Sequence, residues 1–166
     1  TLLEKKAGIA NILEVIISNL FGAVREGKIE QDFYEHVLNG NAITKDYMNE
    51  LTTKSLEKYY GKEVILDEYS GYSWMRRSHY YMTFYLYSYA ICISVASYIA
   101  SEIAKGNKEI LNKYIEYLST GYDKWPIDAF KILDVDLTKK DVYESAIKYF
   151  DSLIDEYEKL TKEGEK

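Results

Sequence analysis

Apolar residues recur at spacings of three and four along much of the chain, which is the period of an amphipathic helix. The first such stretch covers residues 2–26, with Gly27 as a plausible stop, and a second runs over residues 29–38. Thr44 then has the properties of an N-cap for a third helix that ends at Gly61. The predicted inward positions of these helices are Leu3, Ile9, Ile12, Leu13, Ile16, Ile17, Leu20, Val24, Phe33, Val37, Met48, Leu51, Leu56 and Tyr59.

The second half of the chain shows the same period. It predicts helices over residues 108–118 and 141–160, with a further helix that starts near Pro126, where proline suits a first turn. Residues 62–73 are the least regular part and are where a substrate-facing loop would lie. Within them, residues 64–66 are interpreted as a short extended piece.

Residues 74–103 form the longest weakly charged stretch, since no residue between Arg77 and Glu102 carries a formal charge. We interpret this stretch as one long helix that begins near Ser78 and is buried on nearly all sides. No segment has a convincing strand period. The pattern therefore predicts an all-α fold, a bundle of about six to seven helices around a long buried central helix.

Composition indicates a cellular compartment and argues against one class of partner. A chain of 166 residues can bury a core without disulfides or metal, so a single helical domain over residues 1–166 is predicted. Cys92, the one cysteine, is interpreted as a small buried hydrophobe in a reducing compartment, which favours a cytoplasmic location. The net charge of −6 argues against nucleic acid as the main partner. No signal peptide is predicted, and Thr1 in place of a methionine indicates a piece of a longer chain.

An alternative for residues 78–101 is a membrane span, because about 20 apolar residues cross a bilayer. The stretch contains His79, Thr83, several serines and repeated tyrosines, which are costly in hydrocarbon. A buried helix of a soluble bundle explains this pattern better, so no membrane partner is predicted. A membrane-inserted helix would instead make the protein dependent on detergent.

Several kinds of catalytic site are excluded by the residues present. His36 and His79 are too far apart in the sequence for H-E-x-x-H, which places both imidazoles one helical turn apart. One cysteine excludes a thiolate zinc site, and there is no glycine-rich phosphate loop or G-x-S-x-G elbow. His36 is interpreted as a partly exposed helix histidine. The chain thus has no self-sufficient catalytic set, and no metal site is predicted in it.

His79 stands among tyrosines. On a helix that begins near Ser78, Tyr80 and Tyr87 would project from one face, with His79 on the adjacent stripe. Tyr85 and Tyr89 would lie on other stripes. Imidazole and phenol groups are suitable donors to the oxyanion of a tetrahedral intermediate. Tyrosines also pack cores and satisfy their hydroxyls locally. Periodicity leaves both interpretations open.

Three blocks of the chain carry the motifs of one known protein family. Residues 74–90 read WMRRSHYYMTFYLYSYA, similar to a pattern W-x-x-x-x-H followed by F-Y-x-Y-x-Y-A near the C-terminal end of the family's members. Residues 33–61, which end in YYG, resemble the family's stretch from F-E to Y-Y-G. Residues 114–160 resemble its C-terminal segment, which contains G-x-S-x-x-P and G-V-D. In their order and spacing, the three blocks resemble the oligoendopeptidase F family of zinc peptidases.

The resemblance implies an enzyme that hydrolyses short peptides in a closed, mostly helical cavity. Its zinc would be bound by H-E-x-x-H and a downstream glutamate in an N-terminal part of the same polypeptide, before Thr1. By resemblance, His79 and Tyr87 are catalytic: His79 would hold the substrate backbone or the oxyanion, and Tyr87 would donate to the developing charge. Tyr80 or Tyr85 would assist in binding the substrate. The chain alone is expected to bind no zinc tightly and to cleave nothing.

Three departures from the family pattern fall outside His79 and Tyr87. Asp134 replaces the glycine of G-V-D, Tyr122 and Asp123 replace the G-x-S motif, and Tyr34 displaces the glutamate after Phe33. The alternative function is a stand-alone helical binding or scaffold domain without catalysis. An H-E-x-x-H helix encoded shortly upstream favours the peptidase, and a nearby start codon favours the scaffold. Without its zinc-bearing partner, the chain is expected to expose an apolar face and to self-associate without physiological role.

Overall fold

The computed structural model of the chain describes residues 1–164, and within them it contains seven α-helices and no strand. The helices are α1 (Leu2–Ile16), α2 (Ala23–Leu38), α3 (Lys45–Tyr60), α4 (Tyr87–Ala104), α5 (Lys108–Ser119), α6 (Pro126–Phe130) and α7 (Asp141–Gly164). A π-helical segment, Ile17–Gly22, joins α1 to α2, and 3-10 turns cover Ser70–Arg76, Ser78–Tyr81 and Lys131–Leu133. The all-α prediction is confirmed.

Local signals explain most helix boundaries. Thr44 caps α3 by accepting the backbone N–H of Tyr47 at 3.1 Å, and Gly61 ends the same helix with a φ of 66°. Asn107 caps α5, accepting two backbone N–H groups. Pro126 occupies the first turn of α6, where its missing donor costs nothing. The predictions for Thr44, Gly61 and Pro126 are confirmed.

The first helix does not stop at Gly27. Helical backbone continues from Leu2 to Leu38, with Gly27 inside α2. A glycine inside a helix costs only about 1 kcal/mol, which tertiary packing offsets. The buried stripe is also narrower than the apolar pattern: Ile9, Ile16 and Leu20 are buried. The predicted inward residues that are instead exposed are Leu3, Ile12, Ile17, Val24, Val37 and Tyr59.

The helical stretch Leu2–Leu38 is also the candidate for a membrane span within the described residues. Its most apolar window of 18 residues has a mean hydropathy of 1.7, and 22% of that window is buried. Length and composition are the whole basis for this, and core helices of soluble proteins meet the same criterion. The absence of a membrane partner stays a prediction.

The described chain divides into two compact units, which we call the terminal unit and the middle unit. The terminal unit consists of Thr1–Leu20 and the chain from Ile91 onward. In it α1 lies against α7, with Lys5 Nζ 2.8 Å from Glu156 Oε1. Its buried core is formed by Val95, Ile99, Ile110, Leu133, Val135 and Val142. That the whole chain forms one domain stays a prediction.

The middle unit is Phe21–Ala90. Its core joins α2 to α3 through Ile29, Phe33 and Met48. The 3-10 segment Ser70–Arg76 packs on α3, where Trp74 Nε1 donates to Asn49 Oδ1 at 2.8 Å. Residues 64–66 belong to no helix or strand, and the short extended piece over them stays a prediction.

The long central helix is shorter than predicted. It begins at Tyr87 rather than near Ser78, because Thr83 and Phe84 adopt positive φ values of 28° and 56° that no helix contains. It is not buried on nearly all sides either, since Cys92 is exposed and the interpretation of this cysteine as a buried hydrophobe is wrong. The exposed side also carries Ala96 and Ala100.

Replacing Gly71 by alanine is expected to destabilise the chain by about 1–3 kcal/mol, as overpacked sites do. A Cβ at this position would lie 2.5 Å from Thr53 Oγ1 and 3.1 Å from the backbone oxygen of Asn49. The backbone atom cannot move without shifting α3. Urea denaturation followed by circular dichroism measures the loss, with Gly8→Ala as control, because a Cβ at Gly8 meets nothing within 4 Å. Equal stability of the two variants would contradict the expectation.

Candidate active site

His79, Tyr85 and Tyr89 form an aromatic cluster in the middle unit. His79 Nε2 lies 3.3 Å from the Tyr89 hydroxyl, within hydrogen-bond range. The His79 and Tyr85 rings are nearly parallel, with centroids 6.0 Å apart, and the Tyr89 ring meets each of the other two edge-on. His79 and Tyr89 are half-buried and Tyr85 is exposed, so the cluster opens to solvent. The neighbouring Tyr85 hydroxyl raises the pKa of Tyr89.

The cluster differs from the arrangement that periodicity predicted. Tyr80 and Tyr87 do not share a helix face, because Tyr80 belongs to the 3-10 turn Ser78–Tyr81 and Tyr87 begins α4. Tyr87 is 55% exposed and free of the ring packing around His79. The proposed roles of His79, Tyr80, Tyr85 and Tyr87 towards a substrate stay predictions.

Tyr80 is bound within the unit. Its hydroxyl donates to Glu26 Oε2 at 2.5 Å, and its ring meets Phe33 edge-on. Burial raises the pKa of Tyr80 well above its usual range, and the charge of Glu26 raises it further. The neutral, hydrogen-bonded form of Tyr80 therefore stabilises the fold. This stabilisation is complete below pH values of about 10, the pKa of an exposed tyrosine, and is lost as the pH rises through the raised pKa of Tyr80.

Glu26 is a buried carboxylate with three partners. It pairs with Arg25 beside it on α2, accepts from Tyr80, and lies 3.5 Å from Nε of Arg77. Arg25 is itself buried and stacks over the ring of Tyr60. Arg77 and Tyr80 flank His79 in the sequence, so this network holds the backbone on both sides of the imidazole.

Tyr89 and Glu26 take part in the cluster and its support, although neither is among the predicted site residues. Tyr89 was not assigned to the site, although Tyr85 and Tyr89 are four residues apart, a spacing that places side chains together when the backbone turns helically. Glu26 could have been noticed for another reason: it lies three residues before Ile29, on the buried stripe of α2. A charged residue within a buried stripe needs partners. Neither pattern shows which side chains Tyr89 and Glu26 contact.

The cluster offers hydrogen-bond donors rather than a set of metal ligands. Within residues 1–164, no group of three or more histidine, cysteine, aspartate or glutamate side chains is placed to hold a metal ion. An imidazole and phenol hydroxyls at a solvent-accessible surface can donate hydrogen bonds to a carbonyl oxygen or to the negative charge that develops on it. His36, in contrast, stacks on Tyr47 with centroids 3.8 Å apart and lies half-exposed on α2.

Comparison with known proteins assigns a family. Residues 4–149 match peptidase family M3. Oligoendopeptidase F from Lactococcus lactis subsp. cremoris is 29% identical over 161 residues, and the homolog from Borreliella burgdorferi is 32% identical over 148 residues. These alignments cover 97% and 89% of the chain but only 27% and 25% of the relatives.

The structure leads to the same group of proteins. The crystal structure of oligoendopeptidase-F from Enterococcus faecium superposes with a TM-score of 0.91 at 25% identity, over 98% of this chain and 31% of that one. The chain therefore spans about a quarter to a third of the length of these proteins. On the evidence of the matched family and the shared helical fold, the chain belongs to peptidase family M3.

Proposed function

We propose that the chain is the C-terminal, substrate-binding part of a zinc endopeptidase that hydrolyses short peptides, similar to oligoendopeptidase F. The observation that carries this proposal is the solvent-accessible cluster of His79, Tyr85 and Tyr89 in a chain of family M3. The proposed enzyme is cytoplasmic.

The zinc of the proposed enzyme does not fit this part of the chain. The described residues hold no ligand set for it, since His79 faces tyrosines and the buried Glu26 is engaged by arginines and Tyr80. We therefore assign the metal ligands to an N-terminal part of the same polypeptide.

The hydrogen-bond donors of the site differ in whether a substrate could reach them. His79 would hold the carbonyl oxygen of the peptide, and Tyr87, which is 55% exposed, would donate to the charge that develops on it. Tyr85 is 46% exposed and can bind the peptide beside them. A phenol has a single hydrogen to donate, and that of Tyr80 is already given to Glu26. A role of Tyr80 in orienting the segment therefore agrees better with its position than direct substrate contact.

The zinc-bearing part of the polypeptide is the proposed macromolecular partner. The terminal unit exposes large apolar side chains at Leu118, Tyr122 and Trp125. An open cleft of about 340 Å³ on the same unit is lined by Cys92, Ile103 and other apolar residues. Exposed apolar surface of this kind marks an interaction site. Self-association of the isolated chain through it would have no physiological role.

The experiment joins residues 1–166 to the N-terminal part of oligoendopeptidase F from Lactococcus lactis, in place of its own matching segment. The joined protein should cleave a quenched fluorescent peptide in a chelator-sensitive way, and the isolated chain should not. His79→Ala in the joined protein should lower kcat roughly 100-fold, as the loss of an oxyanion donor does. His36→Ala is the matched control and should leave kcat unchanged.

Two results would overturn the proposal. Chelator-sensitive cleavage by the isolated chain would show that it contains its own metal site. A well-folded joined protein with no activity would favour the alternative of a helical binding or scaffold domain. Full activity of His79→Ala in an active joined protein would contradict the role proposed for His79.

A further inference from the structure

The backbone between His79 and α4 takes a conformation that its residues do not favour. Thr83 and Phe84 both have positive φ values, in the region that non-glycine residues rarely adopt. A threonine, with its branched Cβ, is especially unsuited to it. Such a turn persists only where the surroundings hold it, and it frequently occurs at functional sites.

A buried carboxylate from a distant part of the sequence holds this turn. Glu30 on α2 is 0% exposed, and its Oε1 accepts the backbone N–H of Phe84 at 2.7 Å. Its other oxygen, Oε2, is buried without a hydrogen-bond partner within residues 1–164. A carboxylate in such a place is costly. The core packing of α2 does not require it, since an apolar residue would fill the position without that cost.

The turn decides which side chains meet His79. It ends the 3-10 segment after Tyr81 and lets α4 begin at Tyr87, so that Tyr85 and Tyr89 return to the imidazole. A helix continued through Thr83 would point residues 85 and 89 elsewhere, because each helical residue advances by a fixed angle. Glu26, one turn before Glu30 on α2, holds Tyr80 on the other side of the turn.

We propose that Glu30 is a positioning residue, which assembles the cluster of His79, Tyr85 and Tyr89 by fixing the left-handed turn at Phe84. As a statement about catalysis, this rests on the proposed function. As a statement about the cluster, it is testable in the 166-residue chain alone.

The first test uses nuclear magnetic resonance on the full chain. In the wild type, the Phe84 amide should exchange with solvent at least roughly ten-fold more slowly than the exposed, unbonded amides of the same segment. Glu30→Gln keeps an oxygen acceptor for this amide and should retain the protection and the nuclear Overhauser contacts between His79 and Tyr89. Glu30→Leu removes the acceptor and should lose both. Glu35→Gln, on the exposed side of α2, is the matched control and should change neither.

The second test separates catalysis from folding. In the joined peptidase, Glu30→Leu should lower kcat roughly ten- to 100-fold with little change in KM, while Glu30→Gln should retain most activity. If the wild-type joined protein is inactive, the proposed function fails, and the resonance measurements still decide the positioning role.

The positioning role is overturned by either of two results. One is an intact contact between His79 and Tyr89 in Glu30→Leu. The other, which decides the matter if Glu30→Leu does not fold, is a Phe84 amide that exchanges in the wild type as fast as an unbonded one.

Discussion

Glu26→Ala is expected to lower the free energy of unfolding by about 3–5 kcal/mol, the cost of leaving a buried charge without its partner. Glu26 is 3% exposed and Arg25 is 7% exposed, so water cannot replace the lost carboxylate. The substitution also removes the acceptor of the Tyr80 hydroxyl and the ion pair with Arg77. The loss should therefore exceed that of any exposed ion pair in the chain.

Urea denaturation followed by circular dichroism measures this loss. Glu57→Ala is the matched control, since Glu57 is exposed on α3 of the same unit, and its effect should stay within about 0.5 kcal/mol. A double substitution, Arg25→Met with Glu26→Leu, should recover part of the stability because it removes both buried charges together. A single Glu26→Ala variant as stable as Glu57→Ala would show that Arg25 finds another partner.

Leu133→Ala is expected to destabilise the terminal unit by about 2–5 kcal/mol, the range for a leucine deleted from a packed core. Leu133 is 0% exposed and packs with Val95, Ile110 and Val142. It ends the short 3-10 turn Lys131–Leu133, where the next residue, Asp134, adopts a left-handed φ of 57°. Backbone held in this way collapses little into a cavity, which favours the upper half of the range.

Thermal unfolding followed by calorimetry measures the effect of Leu133→Ala. Leu118→Ala is the control, since it removes the same atoms from a side chain that is 61% exposed in the same unit. The melting temperature should fall by several degrees for Leu133→Ala and hardly at all for Leu118→Ala. Equal shifts would mean that Leu133 contributes no more than a surface leucine.

The helices themselves could be read from the sequence because their determinants are local. Each determinant affects only the few residues around it. They are the apolar spacing, the caps Thr44 and Asn107, and Gly61 at the end of α3. The stop predicted at Gly27 is wrong because tertiary packing, which is not a local property, decides there. A glycine lowers helix stability locally, but packing of α2 in the middle unit outweighs it.

The candidate site was predictable only in part. The resemblance to the peptidase family singled out His79, Tyr85 and Tyr87 from the order of residues in one block. Which side chains surround His79 could not follow from that block. Tyr89 approaches the imidazole because the backbone turns at Phe84, and the turn is held by a residue 54 positions earlier.

The all-α class, most helix boundaries and the family follow from the sequence alone, because helical period, capping and motif order are properties of neighbouring residues. Tertiary structure alone decided where α4 begins and which rings meet His79. Phe84 and Glu30 are far apart along the chain, so no local pattern contains their hydrogen bond. A left-handed turn without glycine exists only when distant packing compensates for its strain.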